Sequence, residues 1–495
     1  MYRSIRFIQY VLLAVIIGIS SCGRGGRCEL ESDLFWKKKE HPYHHLNRIL
    51  APRTKLLWTT GQHTATLVPL GAVGPSKYVS RLRGIIQNTD IFPVLTEAIQ
   101  KGVTVILVIG DGFGASHMSL PVYLKSVLGS EKTLFETIMN EGVCGFCMTN
   151  MHEHLVTGSA AAGTAIACGR KTYAGVIGLD HRGYPVESML RIAEKLGRPT
   201  GLITDTSLTD ATPASFYAHV ESRRLKADIA RQLVTTDIEV LLGGGACYFI
   251  PEGTAVRDHP ELADIHVELD GPSRRSDGSD LIGAMKRAGY SVVSTRGELL
   301  AAGRSVAKIF GLFAGTEMNT CIDRDDEHTG EPDLKLMTGT GIDILSRRGS
   351  GFFLMIECGN IDYDSHANDA GALMKSLDEM NEVLRICYRY YRKHREKTLL
   401  LFTADHETGA PALSYYKLGK KWQKGKLPSG AAWSTNIELF PIAELRRFMK
   451  QKRSYRKIFE QSETAEELVK NVNCNTDFPI TLKEAERILK YRIEK

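Results

Sequence analysis

The chain has 495 residues, 43% of them hydrophobic, enough for a large buried core in one big domain or in two to three smaller ones. Its net charge of +6 is modest for this length, and Lys and Arg mix with Asp and Glu along most of it. That balance gives a solvated surface and no nucleic-acid footprint.

Arg3 and Arg6 precede an uncharged apolar run, residues 7–19, which ends in small residues at Ser20, Ser21 and Cys22. This is the layout of an export signal. Ile19-Ser20-Ser21-Cys22 resembles the lipobox of bacterial lipoproteins, so residues 1–22 are expected to be a lipoprotein-type signal peptide with Cys22 lipidated. An uncleaved apolar membrane anchor is the other reading. Either one holds the bulk of the chain at a membrane, outside the cytoplasm, in the periplasm or at the cell surface. Residues 23–45, rich in Gly, Lys, Arg and His with H-P-Y-H-H at 41–45, read as a solvated tether.

Ten cysteines at this length give no disulfide framework. Cys144 and Cys147 form a C-x-x-C in a strand-like context, read as buried thiols or as a disulfide made after export. Next in chain order, residues 55–70 carry His63 among apolar flanks, and residues 92–99 have the pattern of an amphipathic helix. Residues 103–110, V-T-V-I-L-V-I-G, make a continuous apolar run of the kind found in strands buried on both faces. Elements then alternate: helix 133–140, strand 145–149, helix from Ser159, helix 186–196, and strand 200–204. Strands follow at 240–242, 291–293, 308–313, 352–357 and 398–403, with a long helix at 370–391. The pattern predicts a doubly wound α/β fold, a mostly parallel sheet with helices on both faces, and a helical C-terminal segment.

Candidate chemistry gathers where strands should end, the usual ligand position in such sheets. Asp111 follows the 103–110 run. Glu357, Asp362 and His366 follow the next-to-last strand, and Asp405 and His406 the last. Asp362 and His366 are spaced i, i+4, so one helical turn aims both at one point. Acids and imidazoles at three strand ends suit two zinc ions and one harder, oxygen-liking ion. Ser159 heads a run of Ala, Gly and Thr where a helix N-terminus favours an anion, making it the candidate nucleophile, with a plain N-cap as the bland alternative.

At this point the sequence resembles the alkaline phosphatases. The motifs are D-G-F-G at 111–114, S-A-A-A-G-T-A at 159–165, D-A-T-P-A-S-F-Y-A-H-V-E-S-R at 210–223, E-C-G-N-I-D-Y-D-S-H at 357–366 and T-A-D-H-E-T-G at 403–409. The resemblance implies hydrolysis of phosphate monoesters through a phosphoserine at Ser159, with Arg223 gripping phosphate. It implies one zinc at Asp111, Asp405 and His406, a second at Asp362 and His366, and magnesium at Asp111, Thr212 and Glu357. Asp210 and Tyr363 fall at the family's variable positions near the third ion.

Two departures stand out. The family's W-T-T-x-x-H-T motif, which supplies a further zinc ligand, follows T-A-D-H-E in that family but lies here at the front, as Trp58-Thr59-Thr60-Gly61-Gln62-His63-Thr64. The order therefore reads as circularly permuted, with 46–100 as the family's C-terminal part, and His63 rather than Glu438 is assigned to the second zinc. The second departure is Gly158, where the family usually has an aspartate that orients the arginine, so Arg223 is expected to be freer here. The catalytic unit is drawn as 46–415, with 253–283 an exposed insertion. Residues 416–495 begin with a Lys- and Gly-rich loop and continue as helices near 436–450, 465–469 and 482–491. Three readings stay open for them: a cap beside the site, packing on the sheet's flank, or a contact between two copies in a homodimer. A phosphodiesterase or sulfatase of the same fold, and an inactive metal-bound phosphate-binding protein, are the rival functions.

Overall fold

The structure, a computed structural model, describes residues 41–493 apart from 128, 130, 266–269, 304, 325–328, 350, 418–419 and 439–443. The export segment 1–22 and most of the tether lie outside the described residues. Among the described residues, ten strands form one sheet. In chain order they are β1 (Val68–Val73), β2 (Gly84–Gln87), β3 (Thr104–Gly110), β4 (Val143–Met148), β5 (Thr200–Ser207), β6 (Val240–Gly244), β7 (Ser291–Val293), β8 (Ile309–Leu312), β9 (Phe353–Cys358) and β10 (Thr398–Ala404).

Across the sheet the order is β2-β4-β1-β10-β3-β9-β5-β6-β8-β7. All neighbours run parallel except at β1, which pairs antiparallel with both β10 and β4. The central strands β3, β9, β5 and β10 are buried along their whole length, as their unbroken apolar runs require when helices cover both faces. Such a sheet forces its connections over the two faces and leaves the carboxyl ends of β3, β9 and β10 side by side. Their register sets Gly110 level with Cys358 and with Ala404. The α/β expectation is therefore met, with strand ends shifted by a few residues: the strand read at 145–149 is Val143–Met148, and 200–204 continues to Ser207.

Six helices place the site: α1 (Pro42–Thr54), α2 (Ile91–Gln100), α3 (Ser159–Cys168), α4 (Ala211–Ala214), α5 (Asn360–His366) and α6 (Ala370–Lys393). Here the tether reading is corrected at its end. Pro42 to His45 open α1, which buries His45, Leu46 and Leu50. Composition pointed to solvent, but the i, i+4 spacing of Leu46 and Leu50 gives the helix an apolar face to bury.

The C-x-x-C lies on β4, where Cys147 is buried and Cys144 exposed. Three residues along a strand point to opposite faces, so both stay thiols. Burial pushes the Cys147 thiol up to about 12, which makes it unreactive. The Lys- and Gly-rich stretch after 415 is partly strand: Gln423–Lys426 pairs with Ala432–Thr435, and Tyr416–Lys417 with Ile437–Glu438. Of the helix read at 436–450, residues 439–443 lie outside the described residues, Ile437–Glu438 is strand, and Leu445–Phe448 is helix.

Candidate active site

Parallel strands deliver most of the candidates to one edge. Asp111 directly follows β3, Glu357 sits near the end of β9, and Asp405 and His406 follow β10. Asp210 caps α4 just beyond β5, its carboxylate accepting the Ala211 N–H at 2.7 Å. The turn after β3 needs Gly112: its φ is +73°, and a Cβ there would lie 2.9 Å from Asp362. Its N–H donates to Asp405 Oδ1 at 3.1 Å, tying two of the strand ends together.

Ser159 is the first residue of α3, a helix buried at every position. Its Ala and Gly residues allow that, because Gly163 faces Ser215 so closely that a Cβ would come 2.7 Å from the Ser215 hydroxyl. The N-cap is Gly158, which offers no side-chain cap, so the free N–H groups of the first turn remain available to a ligand.

His63 reaches the site through the front segment. His63–Thr64 pairs antiparallel with Glu407–Thr408, and Leu56–Trp58 with Pro411–Leu413. This lays His63 over His406, ring centroids 3.6 Å apart, and sets its Nε2 3.1 Å from His366 Nε2. Asp362 stands 3.8 Å from His63 and 3.3 Å from His366. Glu438, the alternative ligand, pairs with Lys55 at 2.9 Å and lies on the short strand Ile437–Glu438.

The donor chemistry fits metal ions. His63 Nδ1 lies 2.9 Å from the Thr157 carbonyl and His366 Nδ1 lies 2.7 Å from that of Gly61. Each carbonyl can only accept, so both Nδ1 atoms carry a proton, and in the neutral imidazoles both Nε2 lone pairs face each other. A cation resolves that clash. Likewise Asp111 Oδ1 and Asp405 Oδ2 are buried with no hydrogen-bond donor among the described residues, although His406 Nε2 stands 3.5 Å and 3.2 Å from them. Among the described residues, two groups bring their ligand atoms within 4.8 Å of one another: Asp111 with Asp405 and His406, and His63 with Asp362 and His406.

Without an ion this cluster is electrostatically costly. Burial, then the Asp405 charge, pushes the Asp111 carboxyl well above its usual range. Burial, then Asp362, lifts Asp405 to about 7. Burial also drives the His406 imidazole well below its usual value, and the other imidazoles add to this. A divalent ion would turn these penalties into attraction. Of the three residues expected around magnesium, Thr212 donates to Asp111 at 3.2 Å. Glu357 takes the hydroxyls of Thr204 and Thr206, the latter at 3.0 Å, while burial and then Asp210 raise its carboxyl to about 8.

Ser159, 4% exposed, has its Oγ 3.4 Å from His406 Nε2 and 3.5 Å from the Arg223 guanidinium. Ser159 and Arg223 line a cavity of about 180 Å³ with His63, Asp111, Asp362 and His366. Arg223 is not free, which corrects the expectation drawn from Gly158. Its guanidinium donates to Asp210 Oδ1 at 2.6 Å, and Tyr363 holds the other Asp210 oxygen at 3.0 Å. A carboxylate thirteen residues earlier thus does the orienting.

Several supporting residues went unread in the sequence. His44 Nε2 lies 2.7 Å from the His366 carbonyl, and Thr408 holds Asp362 through its hydroxyl. The polar run Thr204-Asp205-Thr206-Ser207 at the end of an apolar strand was the signal for the Glu357 surroundings.

The alkaline phosphatase family model matches residues 103–481. Alkaline phosphatase 4 of Bacillus subtilis is 33% identical over 313 residues, 62% of this chain and 61% of that protein. The tissue-nonspecific alkaline phosphatase of Gallus gallus is 31% identical over 378 residues, 69% of this chain and 70% of that protein. Some matches span less: 56% of the Schizosaccharomyces pombe alkaline phosphatase is covered. Among solved structures, Thermus thermophilus alkaline phosphatase superposes with a TM-score of 0.62 at 26% identity, covering 79% of this chain and 76% of that one. A variant of TAB5 alkaline phosphatase with Mg bound gives 0.51 at 28% identity, covering 68% and 85%. Since the family model spans most of the chain and the strand-end cluster falls within the match, this chain belongs to the alkaline phosphatase family.

Proposed function

We propose that this chain hydrolyses phosphate monoesters through a phosphoserine at Ser159. The observation that carries the reading is the meeting of a helix-heading serine hydroxyl with Arg223 at 3.5 Å, at the rim of two carboxylate and imidazole clusters. A monoester phosphate in the cavity would set two of its oxygens on the N–H donors of the Arg223 fork and another on the first-turn N–H groups of α3. Ser159 Oγ forms a bond to phosphorus as the bond to the ester oxygen breaks and the alcohol departs; water then cleaves the phosphoserine, releasing phosphate and restoring the hydroxyl.

Two zinc ions, at Asp111, Asp405 and His406 and at His63, Asp362 and His366, with magnesium at Asp111, Thr212 and Glu357, would supply Lewis acidity and activated water. The protein's own part is to fix the imidazole tautomers through Thr157 and Gly61 and to hold Arg223 through Asp210. Acid-quenched reaction with labelled 4-nitrophenyl phosphate tests the reading. Label on the peptide containing Ser159, absent from Ser159→Ala, is expected, and turnover without serine label would sink it.

The order of segments belongs to the same proposal: residues 46–100 are the family's C-terminal part moved to the front. In support, the family match starts only at 103, and helix Leu482–Ile493 lies against α1, with Arg53 bridging to Glu484 at 2.6 Å. A chain rebuilt with 46–100 placed after 493 should fold and bind metal; an insoluble product together with a soluble original would count against it. Export with a lipid on Cys22 is proposed from the sequence alone, and labelling with a fatty acid, lost in Cys22→Ala, tests it.

A further inference from the structure

Beside the catalytic cavity lies a larger one of about 440 Å³, and the two share Asp210, Arg223 and Tyr363 in their walls. The larger wall adds Arg224, Lys226, Arg274 and Tyr248, with Glu317. Two of its cations are committed: Arg223 to Asp210, and Lys226 to Glu317 at 3.0 Å. Arg224 and Arg274 are exposed, and neither has a carboxylate partner among the described residues.

Arg274 comes to this shelf from the segment 253–283, read as an exposed insertion. Arg275, 5% exposed, fastens it, donating to the backbone carbonyls of Ala227 at 3.0 Å and Tyr248 at 3.1 Å. The Arg274 N–H donates to the Cys247 carbonyl at 2.8 Å, and its guanidinium reaches the Tyr248 hydroxyl at 3.2 Å. The Tyr248 ring lies under both Lys226 and Arg274, at 5.5 Å and 5.9 Å from its centroid. Two uncommitted guanidinium groups at the edge of an anion site, one of them braced by an aromatic floor, form a receptor for a second anion.

Resting on the monoester reading above, we infer that this shelf binds a second anionic group on the substrate, so that the preferred esters carry a phosphoryl or carboxylate group beyond the scissile phosphate. Arg224 and Arg274 act on the part of the substrate that does not react, and their contribution is screened by salt because both are exposed.

The test compares kcat/KM for phenyl phosphate with that for 4-(phosphonomethyl)phenyl phosphate, whose second group cannot be hydrolysed. A preference of about tenfold for the second ester is expected at low salt, the scale of a charge-assisted contact. It should fall toward one in the Arg224→Gln/Arg274→Gln double variant and survive in part in Arg274→Lys. A ratio near one in the unaltered protein, or one that the double variant leaves intact, overturns the inference. If neither ester turns over, the monoester reading fails by itself. Calorimetry with phenylphosphonate and 1,4-phenylenebisphosphonate then decides the shelf: tighter binding of the bis compound, lost in the double variant, supports it, and equal affinities refute it.

Discussion

Arg223 and Asp210 are joined by a 2.6 Å contact between guanidinium and carboxylate, and that carboxylate also accepts the Tyr363 hydroxyl. Burial alone would push the Asp210 carboxyl up, but the Arg223 and Lys226 charges outweigh it and hold the group below its usual range. Asp210 is therefore ionised throughout the neutral and alkaline range and fixes the arginine there.

Removing that carboxylate should loosen the phosphate grip. Asp210→Ala is expected to raise KM for 4-nitrophenyl phosphate and Ki for phosphate about tenfold, the scale of one charged hydrogen bond. Gly158→Asp should recover part of the loss, because a Cβ at Gly158 meets His63 only at ordinary contact distance, 3.6 Å. Unchanged constants in Asp210→Ala, or no turnover of the original protein until Gly158→Asp is made, would defeat the account.

Fold class was legible because the strand-end residues follow unbroken apolar runs such as Thr104–Gly110, and an apolar run is a local signal. The strand-end ligands were legible for the same reason. What could not be read is what non-local pairing creates. Nothing around His44 announces that it meets the His366 carbonyl, since the contact exists only once α1 docks. The Asp210 grip on Arg223 depends on how the loop after α4 turns back, and Arg274 depends on the anchoring of Arg275. Composition misled at residues 42–45, where Pro, Tyr and His hid the first turn of a helix with an apolar face.

His63 and Glu438 give opposite expectations. His63→Ala removes an imidazole 3.1 Å from His366 Nε2 and should lower bound zinc per chain and cut kcat by roughly a hundredfold. Glu438→Ala removes a half-exposed carboxylate from the buried Lys55, whose ammonium still donates to the Pro52 carbonyl, and should leave both unchanged. Metal analysis of the two purified variants decides between them, and full zinc content in His63→Ala would remove His63 from the site.

Metal-free protein should lose stability as pH rises. Asp405 and Glu357 have folded values of about 7 and about 8, above their ordinary 3.8 and 4.5. A raised acid binds its proton more tightly when folded, so unfolding releases protons and stability falls as pH climbs from about 4 to about 8. With chelator present, Tm should drop from pH 5 to pH 8; added zinc and magnesium should raise it more at pH 8, where the ligands need no proton removed. A Tm that rises over this range in chelator would contradict the buried-acid cluster.

Asp369 ties the C-terminal segment to the helices behind the site. One of its oxygens takes the Ala372 N–H at 3.1 Å as N-cap of α6 and the Gln451 amide at 2.7 Å; the other takes the Tyr455 N–H at 2.5 Å. Burial lifts the Asp369 carboxyl to about 6, and those three donors limit the rise. Asp369→Ala strips a helix cap and leaves buried donors unpaired, a loss of about 3 kcal/mol from effects of about 1 kcal/mol each. Hydrogen exchange should then quicken in helix Tyr455–Glu460 and at the start of α6 before it does so in β3. Asp369→Asn keeps an acceptor and should lose less. Equal protection in all three elements of Asp369→Ala would show that the segment is held by its apolar contacts alone.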